Sequence, residues 1–181
     1  YKEHFGDFEM CVREGVWYGS VVLEQCPESG SERFAVLAGR IGRYIPWTVS
    51  FEITPDGLET RKIEQLFASL FGGFGDQNKR VKAGWSELKE MKASGETIVA
   101  LRATFTTWGI NEQECVDNIS FLKSSIESWG SAIATNETAA MAMAAMASCA
   151  GYTARTPAPY LPAPLSEVAR MMPAFRPASI W

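Results

Sequence analysis

Apolar and polar positions alternate with two clear periods along this chain. Val16 to Gln25 is aromatic and β-branched, centres on Val21-Val22-Leu23 and stops at Pro27, which predicts a strand. Phe8 to Val12 is a candidate partner across the Arg13-Glu14-Gly15 turn. From Ser31 to Gly42 the period lengthens: Phe34, Leu37, Ala38 and Ile41 form one helical stripe, Ser31 is the candidate cap and Gly42 the stop. Trp47 to Thr54 returns to period two with Val49, Phe51 and Ile53, and Pro55-Asp56-Gly57 reads as a turn. Asp56 and Glu59 then make a capping box for a helix whose apolar face is Leu58, Ile63, Leu66, Phe67 and Leu70. The Gly72–Gly75 run breaks it, and Gln77 to Ala93 reads as a second helix with Val81, Trp85, Leu88 and Met91 on one face. Thr97 to Trp108, β-branched and aromatic without proline, is the clearest strand. Asn111 and Glu114 form another capping box, followed by the stripe Cys115, Ile119, Leu122, Ile126 and Trp129. Gly130 ends that helix, Ser131 to Thr135 suits a last short strand, and Asn136 caps an Ala/Met helix that runs to about Ala150.

The order from Val16 is β-α-β-α-α-β-α-β. It predicts an α+β, ferredoxin-like sandwich with its helices on one face of the sheet, followed by an Ala/Met helix and an extended Pro-rich tail. Six of the nine prolines lie in the last 25 residues. The expected division is therefore a packed α/β body over residues 1–151 and a Pro-rich arm over 152–181. Tyr160, Leu161, Phe175, Ile180 and Trp181 are expected to be apolar groups without a home in the body, and Ser166 to cap a short helix ended by Pro173.

Composition narrows the chemistry. The chain has 181 residues, a net charge of −4 and a single histidine, His4. That removes most histidine-based metal and nucleophile sites. No Gly-Lys dipeptide exists, so a Walker A loop is excluded, and neither GxGxxG nor GxSxG occurs. Acidic pairs such as Asp7/Glu9 and Glu112/Glu114 lack a visible perturbing partner. Cys11, Cys26, Cys115 and Cys149 form no CxxC pair and read as buried thiols of a reducing cytosol. The chain is expected to be non-enzymatic, without catalytic, cofactor-binding or metal-binding residues. No apolar run reaches the roughly 18 residues of a membrane span.

Charge is uneven: residues 61–94 carry net +3, whereas 1–60 carry −5 and 95–137 carry −4. Lys79, Arg80, Lys82, Lys89 and Lys92 fall on the second helix. Together with Arg155, Tyr160, Leu161, Phe175 and Trp181 they form the candidate interface. A ferredoxin-like nucleic-acid-binding module using the Lys79–Lys92 helix is the alternative function, although the strand 97–108 lacks the glycine-aromatic signature of RNA-recognition modules. The methionines Met141, Met143 and Met146 suit either an adaptable contact surface or, the preferred reading, an Ala-rich helix laid close on the sheet.

The C-terminal quarter carries a resemblance. Ala139 to Gly151, then Tyr152 to Pro159, Leu161-Pro162-Ala163-Pro164-Leu165, Met172-Pro173 and Arg176-Pro177-Ala178-Ser179, looks like the stretch ahead of the nucleotide-binding core in IcmB/DotO (TraU-like) ATPases of type IVB secretion and conjugation systems. More loosely it resembles the VirB-type conjugation ATPases. The large apolar residues Tyr1 and Trp181 at the two ends suggest a piece of a longer chain or a processed product. The resemblance implies an N-terminal assembly and docking domain that recruits the ATPase to an inner-membrane complex exporting protein or DNA. It implies a cytoplasmic location peripheral to that membrane, other secretion subunits as partners, a homo-oligomer at full length, and ATP with Mg²⁺ at Walker motifs beyond Trp181. No nucleotide-site residue carries over onto this chain, and neither a small-molecule substrate nor nucleic acid is expected.

Overall fold

The computed structural model describes residues 2–4, 10–28, 31–55, 86–138, 141–147 and 158–172. Its strands are β1 (Lys2–His4), β2 (Met10–Arg13), β3 (Val16–Gln25), β4 (Trp47–Thr54), β5 (Ile98–Gly109), β6 (Ile133–Asn136) and β7 (Leu161–Pro164). Its helices are α1 (Phe34–Ile41), α2 (86–93), α3 (Glu112–Glu127), α4 (Met141–Ala147) and α5 (Leu165–Met171). The class is mixed α+β. The chain divides into two units: Tyr1–Glu52 with Arg102–Pro159 and Met172–Trp181, and Ile53–Leu101 with Tyr160–Met171. The body–arm boundary expected at residue 151 lies outside the described residues, as do the helix expected over 58–70 and the glycine run after it.

In the first unit the strand order is β1-β2-β3-β5-β4, with β6 also on β3. The β1–β2, β2–β3, β3–β5 and β3–β6 pairs are all antiparallel. Glu14 and Gly15, both at positive φ, make the β2–β3 turn. β3 is long enough to serve two neighbours in series: Val16 to Tyr18 pair with β2, and Val21 to Gln25 with β6.

Period-two alternation explains how the sheet is covered. A Cβ on Gly19 would run into Ile119 of α3, so Gly19 and Val21 face α3. Phe105, opposite Val21, shares that face and meets Phe34 of α1. The next residues face the other way. Ser20 and Thr106 hydrogen-bond each other at 2.8 Å, and the Thr106 hydroxyl reaches the Ala144 carbonyl of α4 at 3.5 Å. α4 thus lies on the sheet face opposite α1 and α3, with Met141 and Ala144 buried. The Ala/Met helix packs closely on the sheet, as its small residues predict. Asn136 does not cap it: that residue ends β6, paired with Val21.

The core on the α1/α3 face is aromatic. Phe34 is buried against Trp47, Phe51, Phe105 and Trp129, with ring centroids 5.3–6.4 Å apart. Tilted and edge-on pairs of this kind add about 0.5–1.5 kcal/mol each beyond their buried area. The Trp129 indole N–H donates to the Glu32 carbonyl at 2.7 Å, so its polar tip is satisfied. The α1 stripe is buried at Phe34, Leu37 and Ile41. Ser31 caps nothing, however. The cap position is Arg33, without a side-chain bond, and the Ser31 hydroxyl donates to the Glu28 carbonyl instead.

The second unit has its own small core. β7 pairs antiparallel with the first four residues of β5, Leu161 opposite Leu101 and Pro164 opposite Ile98. Pro162 and Pro164 alternate in β7, leaving Leu161 and Ala163 as its backbone donors. Leu161, Ala163, Val168 and Met171 are buried. Residues 158–172 are therefore not an arm outside a packed body. Leu161 was expected to lack a home, and it finds one on β5. Ser166 is not a cap either: it lies inside α5, where its backbone N–H donates to Glu96 Oε1 at 3.2 Å.

Candidate interaction surface

The residues singled out from the sequence fall in three places. Lys89 and Lys92 are exposed on α2, but Glu87 and Glu90 are exposed on the same short helix, so its described turns carry no net charge. Gly95 ends α2 at φ +96, with Glu96 N–H donating back to the Met91 carbonyl at 3.0 Å, a Schellman closure. Tyr160 is half-buried and Leu161 buried. Lys79, Arg80, Lys82, Arg155, Phe175 and Trp181 lie outside the described residues. A continuous basic face is thus not assembled from the described part of that stretch.

Several polar groups with chemical potential are occupied in building the fold. Asn111 caps α3: its Oδ1 accepts from Glu114 N–H at 2.9 Å, and Glu114 Oε2 accepts from Ile110 N–H at 3.0 Å. Glu114 is therefore a capping carboxylate, as the spacing predicts. Asn118 Nδ2 donates to the Trp108 carbonyl at 2.9 Å and Thr107 to that of Pro46 at 2.7 Å, tying α3 and the α1–β4 loop to β5. Asp7, Glu9 and Cys149 lie outside the described residues.

Cys115 is buried at the start of α3, and its thiol is pushed from 9.0 up to about 12. Burial is the largest cause, the neighbouring Cys11 and Glu114 add to it, and a backbone hydrogen bond from Gly109 opposes it. Such a thiol stays protonated and is a poor nucleophile. Among the described residues no group of three His, Cys, Asp or Glu side chains could hold a metal ion, and no helix is long and apolar enough to cross a membrane.

Large apolar side chains are also exposed on the first unit. Val36 is 56% exposed, Tyr44 71% and Ile110 78%. At the N-cap, on α1 and in the turn after it, Arg33, Val36, Arg40, Arg43 and Tyr44 are all exposed, whereas Phe34, Leu37 and Ile41 are buried. Arg40 pairs with Glu32 at 3.1 Å and donates to Ser128 Oγ at 3.0 Å. The Tyr44 ring stands edge-on to Phe121 of α3 at 5.4 Å. Sequence reasoning missed this surface. The signal was present in the same 3.6-residue period that located the α1 core: the complementary stripe holds three arginines and two large apolar residues where a solvated face would be uniformly polar.

No protein-family model matches the chain, and no curated protein sequence matches it.

Proposed function

We propose that this chain is the N-terminal assembly and docking domain of a type IVB secretion or conjugation ATPase, which recruits the motor to its inner-membrane complex. The observation that carries the docking part is the first unit's outer surface, where Val36, Tyr44 and Ile110 are left exposed among charged groups. Among the described polar groups of that unit, Thr107, Asn111, Glu114 and Asn118 already serve the fold. The secretion-ATPase part rests on the C-terminal resemblance, whose Leu161–Leu165 element packs as β7 and the first residue of α5.

We read the first unit as ferredoxin-like. What supports this is the order β6-β3-β5-β4. Numbered within that set it is 4-1-3-2, with α1 between the first and second strands and α3 between the third and fourth. On this reading α4, on the opposite sheet face, and the β1–β2 hairpin are additions, and residues 55–97 are inserted between the second and third strands.

The test is co-purification. In a bacterium that encodes the full-length protein, the affinity-tagged chain is expressed beside it and the inner-membrane secretion complex is isolated. Recovery of the tagged chain with the complex, in competition with the full-length ATPase, is the expected result. Recovery of the ATPase at undiminished level with no tagged chain rejects the docking role. A Walker A loop after a strand downstream of Trp181 is the expected sequence context, and its absence rejects the family.

A further inference from the structure

We infer that the first unit associates head to tail with a second copy of itself, the outer face of α1 receiving the corner at the start of α3. This inference does not depend on the secretion-ATPase reading. It starts from two patches of opposite character on one unit. The α1 patch has an apolar centre, Val36 and Tyr44, extended by the half-buried Phe121, and a basic surround of Arg33, Arg40 and Arg43. Arg40 is the only one of the three with an ion pair among the described residues, to Glu32. The second patch has Ile110 at its centre, the most exposed large apolar side chain described. Carboxylates accompany it: Glu114 Oε2 accepts from the Ile110 N–H at 3.0 Å, and Glu112 and Asp117 are exposed on the first turns of α3.

Glu112 and Glu114 also suit the positive end of the α3 dipole, so their presence has a local cause. That cause does not account for Ile110. A side chain of that size left 78% exposed loses its share of the hydrophobic effect unless something covers it. The two patches match in the properties that matter: each has a large apolar centre, and the surrounding charges are opposite in sign.

Geometry prevents one copy from closing the two patches on each other. Arg40 reaches Ser128 and Tyr44 reaches Phe121, so α1 lies antiparallel along the C-terminal half of α3. Glu112 begins α3 nine residues before Phe121, about 14 Å away at 1.5 Å per residue. The patches thus sit towards opposite ends of one helical layer. Unlike surfaces that meet between copies form a heterologous contact, which repeats into a ring or an open chain.

An anionic polymer fits this surface less well. The Glu32 carboxylate, 3.1 Å from Arg40, and the net charge of −4 on the whole chain both act against it. They would repel an extended polyanion while tolerating a compact corner with two carboxylates.

The 181-residue chain tests this in sedimentation over a rising concentration series, at low and high salt. The expected result is a concentration-dependent increase in mass that salt weakens. Two double variants, all at exposed positions, separate the surfaces: Arg33→Glu with Arg43→Glu, and Glu112→Lys with Asp117→Lys. Each variant alone should need about tenfold or more higher concentration to associate. Mixed in equal amounts they should associate again, because each then offers the other a matched pair of patches. Circular dichroism melts confirm that both variants are folded. A chain that stays monomeric throughout overturns the inference, including the case in which another protein's acidic segment occupies α1. Association that neither double variant changes, or that mixing does not restore, overturns it as well.

Discussion

Gly109 shows how tightly one residue can be specified here. It ends β5 where the first turn of α3 comes down onto the sheet, and a Cβ built there would meet Cys115 N at 2.7 Å and the Glu114 carbonyl carbon at 3.1 Å. Both are backbone atoms of a capped helix and cannot swing aside. Gly109→Ala should therefore destabilise the protein by about 1–3 kcal/mol, read as a lower denaturant midpoint. Gly39, inside α1, is the opposite case. A Cβ there meets nothing within 4 Å, and Gly39→Ala should stabilise by about 0.5–1 kcal/mol. Equal effects at the two sites would contradict this account. The same junction holds the Cys115 thiol, raised from 9.0 to about 12. Between those values the unfolded thiol has ionised while the native one keeps its proton, so the native state binds more protons. Stability must then fall as pH rises through this window, by at most about 1.4 kcal/mol per pH unit from this group. Cys115→Ala should flatten that alkaline slope whatever it does to stability at neutral pH, and an unchanged slope in denaturation curves from pH 9 upward would assign the loss to other groups.

At the scale of elements, α3 is the best anchored. Asn111 and Glu114 satisfy the orphan donors at its start, and Asn118 and Ile119 fasten it to β5 and β3. Asn111→Ala should cost about 0.5–2 kcal/mol, and Asn111→Asp, which keeps an acceptor at the positive helix end, should recover most of it in the same thermal melts. This element was legible in the sequence because cap, period and stop signal all agreed: the stripe Cys115, Ile119, Leu122, Ile126 and Trp129 is buried throughout. β3, β4 and β5 were legible for a similar reason, since β-branched and aromatic residues alternate without proline. Two features were not. β7 consists of Leu-Pro-Ala-Pro, and proline argues against a strand unless its missing donor costs nothing, which depends on the β5 partner some 60 residues away and not on local sequence. The α1 surface was overlooked because helical periodicity was used to find what is buried, whereas a candidate site lies in what the period leaves outside. The basic helix expected over Lys79–Lys92 rests on its lysines and arginines alone; on α2 the exposed Glu87 and Glu90 offset Lys89 and Lys92.

For the whole chain, the consequential correction concerns residues 158–172. Read as a proline-rich arm, they could be removed without loss to the body. The structure gives them a different role, because the second unit is assembled from two distant pieces of chain, Ile53–Leu101 and Tyr160–Met171. The later piece supplies β7 and α5. The backbone links are specific: β7 pairs with Ile98 to Leu101, and Leu165 N–H donates to the Thr97 carbonyl at 2.8 Å. Leu161, Val168 and Met171 bring buried apolar side chains. Removing a buried Leu, Val or Met from water is worth about 1.5–3 kcal/mol each, so losing all three exceeds what a small unit can spare against a typical margin of 5–15 kcal/mol for a whole domain. Truncation after Gly151 should therefore abolish cooperative melting of the second unit and expose Ile98 to Leu101 to protease, while α3 and its partners in the first unit stay protected in hydrogen exchange. Leu161→Asp should reproduce the local loss with the full chain length kept, which separates a packing defect from a missing segment. If the truncated chain melts as the intact one does, and hydrogen exchange over 98–101 does not change, β7 contributes nothing to that core and residues 158–172 are a detachable arm after all.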